Sequence, residues 1–356
     1  MTDRYREILV VDLLGGIGDL IMLLPAVHAL ARRNPGARLR VLTHDPGAGL
    51  LRADPAVDAV RTPRHGRPGA EREAVRDALA ERRPDLVVST TRYDGIPDLL
   101  AASGARCVTD LWRKPPPDEP VGTRYLRILH EEGLLTAADV ATRPRVALAP
   151  AVLAAGEQVV TALVSLAGAD PALVAAAYGP AGTARPLRAP VVLVTEAGMA
   201  VKRWPAPWWR RLADALHRRG HPVLSVGPEP VSPSVVPLPR MDLPVLAGCF
   251  AAVARRGGVV VGPDTGPVRL AAASGAATVG LFGPTWARRY GIGGVDLQGL
   301  PECEHRLPTA ITEQSCWWQG DCPLSPTGPA CMADLRPERV HAAVRTLLTR
   351  TGEKPP

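Results

Sequence analysis

No apolar run in this chain of 356 residues approaches the ~18 residues that a membrane-crossing helix needs, so no transmembrane segment is expected. The opening MTDRYREILVVDLL lacks the basic-then-apolar order of a signal peptide, because its apolar run is short and interrupted by acids. A cytoplasmic location is the expectation. Basic tracts interleaved with aromatics are missing as well, so the net charge of +7 does not point to nucleic acid. The charge comes from arginines scattered along helices, such as Arg210, Arg211, Arg218 and Arg219. A solvated surface explains them first, and an anionic substrate or peripheral membrane contact second. The third glycine of a dinucleotide fingerprint is also absent. With Gly16 and Gly18 as the first two, the third falls on Ile21, which argues against an NAD(P) enzyme.

What is present is concentrated in Val259–Thr285, VVVGPDTGPVRLAAASGAATVGLFGPT. It reads as a buried strand (Val259–Val261), a tight loop, an Ala-rich helix from Pro267 as first helical residue, and a second strand (Thr278–Phe282). Asp264, Thr265 and Gly266 supply capping residue types, and Pro suits a helix start because its missing N–H costs nothing there. Amides left free at such a start favour an anion, and Gly266 lets a ligand approach the backbone. The chemistry favoured is the holding of a phosphate or diphosphate. A capped helix start without ligand fits the local pattern equally well.

The length exceeds the usual size for one core, so two domains are expected. Strand and helix alternate through both halves, with continuous Val/Leu strands that predict parallel sheets covered on both faces. The expected fold class is α/β, with two Rossmann-like doubly wound domains facing a central cleft. Residues 1–167 form the first, acceptor-side domain, 168–190 a Pro/Gly/Ala-rich linker, and 191–335 a donor domain whose Cys-rich segment is 303–331. Residues 336–356 are a final helix and tail. Gly291–Pro329 reads as irregular. In the first half, strand Ile8–Asp12 leads through a Gly15–Gly18 loop into a helix from Asp19 to about Arg33. Asp19 therefore stands at a helix start beside flexible backbone, at the carboxyl edge where such sheets bind ligands. A first-turn carboxylate that only complements the helix dipole is the competing account. Pro25, less than two turns on, predicts a kink.

Four segments in order resemble glycosyltransferase family 9, the ADP-heptose:lipopolysaccharide heptosyltransferases and their relatives. GGIGDLIMLLPAVHALARRNPGARLRVLT is similar to the family's opening GD-x(5)-P signature, and PDLVVSTTRYDGIPDLLAASGA to its next strand and helix. EAGMAVKRWPAPWWRRLADAL is similar to the G-x(3)-KRWP segment, and GPDTGPVRLAAASGAATVGLFGPT to DTG-x(2)-HLAAA. The resemblance implies a GT-B architecture and an inverting, metal-independent transfer of a heptose or hexose to an acceptor hydroxyl. It implies Asp19 as the base on that hydroxyl, Lys202 on the donor phosphates, and Asp264, Thr265 and Gly266 around the diphosphate sugar. Gly16 and Gly18 fall in the acceptor-side loop. The donor is expected to be a nucleoside diphosphate sugar, ADP-heptose or a GDP-sugar. The acceptor is expected to be a cell-envelope glycan or a secondary metabolite. Charge chemistry agrees, because a leaving diphosphate needs positive charge and aligned N–H donors. No DxD pair lies at a strand end, so a catalytic metal is not needed for that task.

Two departures stand out. The histidine after DTG-x-x is Arg269 here, which can pair with phosphate but cannot act as a neutral imidazole. The Cys-rich tail has no CxxC pair, although Cys303, Cys316, Cys322 and Cys331 fall within one segment and could close a structural zinc or iron site away from the donor. Cys107 and Cys249 read as small core residues, and Trp204, Trp208 and Trp209 mostly as packing. Two other classes fit the same frame: a nucleotide-sugar epimerase or isomerase, and a non-catalytic nucleotide-sugar binding protein.

Overall fold

The computed structural model describes residues 5–64, 66–168, 188–227 and 231–352. Its contacts divide the chain into two compact units, Met1–Ala149 with Asp242–Pro244, and Pro150–Met241 with Val245–Pro356.

The first unit runs β1 (Glu7–Asp12), α1 (Ile17–Arg33), β2 (Arg38–Thr43), α2 (Ala48–Leu51), β3 (Ala59–Arg61), α3 (Ala70–Glu81), β4 (Leu86–Ser89), α4 (Ile96–Ala101), β5 (Arg106–Val108) and α5 (Val121–Glu131). The strands form one parallel sheet in the order β3-β2-β1-β4-β5. β1 is central, with Ile8 opposite both Leu39 and Leu86. Its unbroken apolar sequence follows from that place, because both faces are covered. Leu9 and Val11 pack with Val75, Ala78, Val87, Ile96 and Leu100 in one buried cluster. Each fully buried Val, Leu or Ile of the cluster contributes about 1.5–3 kcal/mol. The order reverses between β1 and β4, which makes their carboxyl ends the place where this fold binds ligands.

The second unit opens with α6 (Pro150–Gly168) and continues with β6 (Val191–Val194), α7 (Ala206–His217), β7 (Val223–Val226), β8 (Val235–Pro237), α8 (Leu243–Arg255), β9 (Val259–Pro263), α9 (Gly266–Ala273), β10 (Ala277–Phe282), α10 (Ala287–Tyr290), β11 (Val295–Gln298), α11 (Ala330–Ala333) and α12 (Pro337–Gly352). Its parallel sheet has the order β11-β10-β9-β6-β7-β8. That is the order of a dinucleotide-type Rossmann sheet, and it reverses between β6 and β9. Val191, Leu193, Val259, Val261, Val279 and Leu281 form its core with Trp204, Trp209 and the final helix.

Several expectations meet a different outcome. The domain boundary expected at residue 167 falls at Ala149, because α6 packs on α8 within the second unit. A Cβ at Gly156 would lie 2.1 Å from the carbonyl carbon of Gly248, so only glycine allows that crossing. Glu157 on α6 pairs with Arg255, the last residue of α8, and with Arg256 just beyond it. The same helix is long and apolar enough, by length and composition alone, to cross a membrane, contrary to the sequence expectation. Polar residues inside it, such as Glu157 and Gln158, hid the run. Residues 169–187 of the expected linker, and the last four residues of the tail, lie outside the described residues. The segment expected to be irregular holds β11 and a 3-10 turn, Ile311–Glu313. Helix α1 starts at Ile17 rather than Asp19 and continues through Pro25 to Arg33. Pro267 is the second helical residue of α9, after Gly266.

Candidate active site

Both switch points carry an aspartate, and the two aspartates have opposite surroundings. In the first unit, the turn after β1 places Gly16 as N-cap of α1, Gly18 inside the helix, and Asp19 in its first turn. Gly18 is thus helical and not part of the expected loop. Asp19 is half-buried. A Cβ on Gly16 would meet its Oδ2 at 2.2 Å, so the bare backbone of Gly16 is what gives the carboxylate its position. At the end of β1, Asp12 is buried and takes a hydrogen bond from the Thr90 hydroxyl at 2.5 Å. Thr91 Oγ1 accepts from the Leu13 amide at 2.9 Å, and the Tyr93 hydroxyl donates to the Leu13 carbonyl. Sequence reasoning passed over Asp12. A carboxylate closing the apolar run ILVVD was the available signal.

In the second unit, Lys202 ends a 3-10 turn (Ala200–Lys202) in the loop after β6, and Asp264 follows β9. They meet across the switch point. Lys202 Nζ donates to Asp264 Oδ2 and to the Asp264 carbonyl, both at 3.1 Å. Arg269, one turn into α9, donates through Nη2 to Asp264 Oδ1 at 2.5 Å and to the Tyr290 carbonyl. Asp264 is almost fully buried. Burial alone would raise its pKa, but Arg269 and Lys202 override it and hold the carboxylate well below its usual range. One anion and two cations leave a net charge of +1. Thr265 is the N-cap of α9, yet no side chain caps that helix start, and its hydroxyl donates to the Pro263 carbonyl at 3.3 Å. A positive triad therefore sits beside the positive end of a helix dipole. Nearby, at the carboxyl end of β6, a cavity of about 520 Å³ is lined by Thr195, Glu196, Ala200, Arg203 and Trp209, among others. That is the size of a small-molecule site.

Lys202 also lies 5.3 Å from the ring centroid of Trp317. Val201, Cys316 and Trp317 form a small buried cluster, with Met199 and Ile311 against it. Through Trp317 the Cys-rich segment thus reaches Lys202. Cys303, Cys316, Cys322 and Cys331 line one cavity of about 10 Å³ with Arg306. Burial pushes the Cys331 thiol up to about 12 and raises Cys316 too, with the neighbouring thiols adding to both. Arg306 donates to the carbonyls of Gly283, Gly299, Leu300 and Pro301. Among the described residues, no three His, Cys, Asp or Glu side chains are arranged to hold a metal ion. Trp204 and Trp209 are buried, stacked edge to face at 4.7 Å, and Trp204 Nε1 donates to the Leu335 carbonyl at 2.8 Å. Cys249 is buried and Cys107 half-buried.

Two Rossmann-like parallel sheets in one chain define an α/β protein of the GT-B class. Residues 167–296 match the model of glycosyltransferase family 9 (heptosyltransferase). Over 170 residues the chain is 31% identical to lipopolysaccharide heptosyltransferase 1 of Pseudomonas aeruginosa, an alignment covering 41% of this chain and 44% of that protein. The chain thus spans less than half the length of that curated relative. Its fold is similar to the crystal structure of the glycosyl transferase family 9 from Veillonella parvula, with TM-score 0.70 and 16% identity over 97% of this chain and 98% of that one. It is also similar to the dodecameric iron-containing heptosyltransferase TibC in complex with ADP-D-beta-D-heptose, with TM-score 0.55 and 12% identity over 97% and 77% of the two chains. Over residues 167–296 the chain is thus similar to glycosyltransferase family 9, and along nearly its whole length it shares the fold of the solved heptosyltransferase-like structures.

Proposed function

We propose that this protein is an inverting glycosyltransferase that moves a heptose or hexose from a nucleoside diphosphate sugar to an acceptor hydroxyl. The observation that carries the reading is the Asp264–Lys202–Arg269 triad at the uncapped start of α9. A departing diphosphate gains negative charge as the glycosidic bond breaks. Fixed positive groups and helix N–H donors stabilise that charge without reorganising. Lys202 is the cation best placed to touch phosphate, since its side chain keeps 17% of its surface exposed against 7% for Arg269. Asp264 contributes by holding both cations. Arg269 contributes charge through Asp264, not a fork on the phosphate, because its Nη2 is already engaged.

Asp19 accepts the acceptor proton as oxygen attacks the anomeric carbon. That hydroxyl becomes acidic only as the new bond forms, so a modest base suffices late in the transition state. With Lys202 and the helix start at the leaving group, no catalytic metal is required. The heptose-specific relatives favour ADP-heptose as donor, with a GDP-sugar as the alternative. The acceptor is an envelope glycan or a secondary metabolite, and the transfer takes place in the cytoplasm, with any membrane contact peripheral. Four thiols facing one small cavity have the donor chemistry of a zinc or iron site, for which the cysteines would have to turn inward. Such a metal would supply a structural cross-link for an irregular segment and take no part in transfer.

The test is a thermal-shift screen against ADP, GDP, UDP and dTDP, followed by a transfer assay with the sugar nucleotide of whichever binds. A ligand bound to the native state raises apparent stability by mass action. No response to any of the four, at concentrations up to millimolar, would remove the donor-site reading.

A further inference from the structure

The transfer chemistry makes no use of the buried carboxyl at the switch point of the first unit. Asp12 ends β1 at the switch point, 2% exposed, with the Thr90 hydroxyl on its Oδ1. Among the described residues, no lysine, arginine or histidine lies within ion-pairing distance of it. Asp264, beyond β9 on the other strand of the second unit's switch point, is also buried but holds two cations at 2.5 and 3.1 Å. The switch point of the second unit thus carries a buried carboxylate kept charged, and that of the first a buried carboxyl with no counter-charge among the described residues.

The electrostatic consequence follows from those neighbours. Burial pushes Asp12 up to about 7, the Thr90 hydroxyl pulls it down, and the charge of Asp19 pushes it up further. The titratable groups set against Asp12 are Asp19 from α1 and Tyr93 from the loop after β4. The Tyr93 hydroxyl is raised by its burial, by Glu71, and by Asp12 and Asp94, so it stays neutral through the physiological range. Asp12 is then the group of this cluster that changes charge near neutral pH. Two like charges close together each raise the other's proton affinity, and the effect is reciprocal.

Resting on the reading of Asp19 as the base, we propose that Asp12 is a positioning residue that sets how strongly Asp19 takes the acceptor proton. Neutral Asp12 leaves Asp19 a weak base, and ionised Asp12 strengthens it. The proton balance is simple. The acceptor O–H proton goes to Asp19, the new C–O bond forms, and the bond to the donor diphosphate breaks with its electron pair on the diphosphate. Asp12 touches neither substrate nor proton. A buried neutral carboxyl also keeps the carboxyl edge of the sheet from carrying two negative charges in the mildly acidic range, where a surface aspartate would already be ionised.

The experiment is the pH dependence of turnover in wild type, Asp12→Asn and Thr90→Val, with ¹³C-carboxyl NMR titration of the folded wild type. Wild-type turnover should rise through about pH 7, by up to about tenfold for each pKa unit of basicity gained. Asp12→Asn, fixed in the neutral state, should lose that step. Thr90→Val, lacking the hydroxyl that favours the charged form, should move the step to higher pH. The NMR titration should show one aspartate with a midpoint near 7. An unchanged step in Asp12→Asn, or an Asp12 midpoint in the ordinary carboxylate range, overturns the inference. If Asp12→Asn does not fold, Thr90→Val and the titration decide the matter. Asp19→Asn separates the two levels. Should it turn over normally, the base assignment falls and Asp12's role falls with it. Should Asp19→Asn be crippled while Asp12→Asn keeps the wild-type step, Asp12's role alone falls.

Discussion

Replacing Asp264 with asparagine removes one negative charge from between two cations and leaves the shape intact. In the wild type, Lys202 at 3.1 Å and Arg269 at 2.5 Å neutralise a carboxylate that is almost fully buried. Breaking such an arrangement from one side costs about 3–5 kcal/mol, because the remaining charges stay desolvated without a partner. For a unit of this size that is a fall in Tm on the order of 10 °C. The acid limb of the stability curve should change as well. Asp264 has a folded pKa below its unfolded one, so its stabilisation is fully present above about pH 4 and is lost as pH falls. The variant has no such charge to lose, so its stability should fall less on acidification. Differential scanning calorimetry at about pH 7 and about pH 2 reads both effects. A second arm uses inorganic pyrophosphate. Removing the anion raises the site charge from +1 to +2, so the less stable variant should bind pyrophosphate more tightly. Asp264→Asn/Arg269→Met should recover part of the lost stability, since it removes an orphaned cation. A Tm within about 2 °C of wild type, or weaker pyrophosphate binding, would refute the triad as the source of both stability and charge. Weaker binding would instead mean that Asp264 acts by orienting Lys202 and Arg269 toward the phosphates.

Lys202→Ala removes the more exposed of the two triad cations and should weaken nucleoside diphosphate binding by about 1.5–3 kcal/mol, read by calorimetry; an unchanged Kd excludes Lys202 from the phosphates. Asp19→Asn should cut turnover by roughly 10²–10⁴-fold with donor affinity near normal. Gly16→Ala should produce part of that loss at intact Asp19, because its Cβ needs space that Asp19 Oδ2 occupies at 2.2 Å; full activity in Gly16→Ala would detach the carboxylate's position from catalysis. Asp12→Asn should stabilise the protein above pH 7, because an aspartate raised to about 7 in the folded state costs stability progressively as pH rises from about 4 to 7; equal Tm values at pH 5 and pH 8 relative to wild type count against the buried charge. Elemental analysis of fresh protein should give about one zinc or iron per chain if the four cysteines close a site, and four titratable thiols in active, metal-free protein exclude it.

The central strands were plain in the sequence because their residues are apolar on both faces: Ile8–Asp12 and Val259–Val261 need no tertiary information to be read. The three-residue β3, β5 and β8 were not, since Ala59–Arg61 and Arg106–Val108 are half-buried and too short for a pattern. β11 has the sequence VDLQ and is half-buried throughout, so no apolar run announced it. Asp19, Lys202 and Asp264 were legible as a motif, but their relations were not. Lys202 and Asp264 are 62 residues apart, and only the order of β6 and β9 in the sheet brings them together. Arg269 read as a phosphate ligand because its sequence neighbours are a helix start. The Tyr290 carbonyl that occupies it comes from α10, which sequence spacing does not connect to it.

The residues that match the family model end at 296, while the ring beneath Lys202 is Trp317 and the carbonyl that holds Trp204 belongs to Leu335. A recombinant fragment cut at the end of the matched region would therefore carry the signature lysine without its floor. Val201 would lose Cys316 and Trp317, and Lys202 would gain rotamer freedom that binding must then remove. The useful unit for grafting, crystallising or evolving this donor site extends through α12. On the proposed reading, affinity for a diphosphate would depend on Cys316 and Trp317, far downstream of Lys202 in the chain.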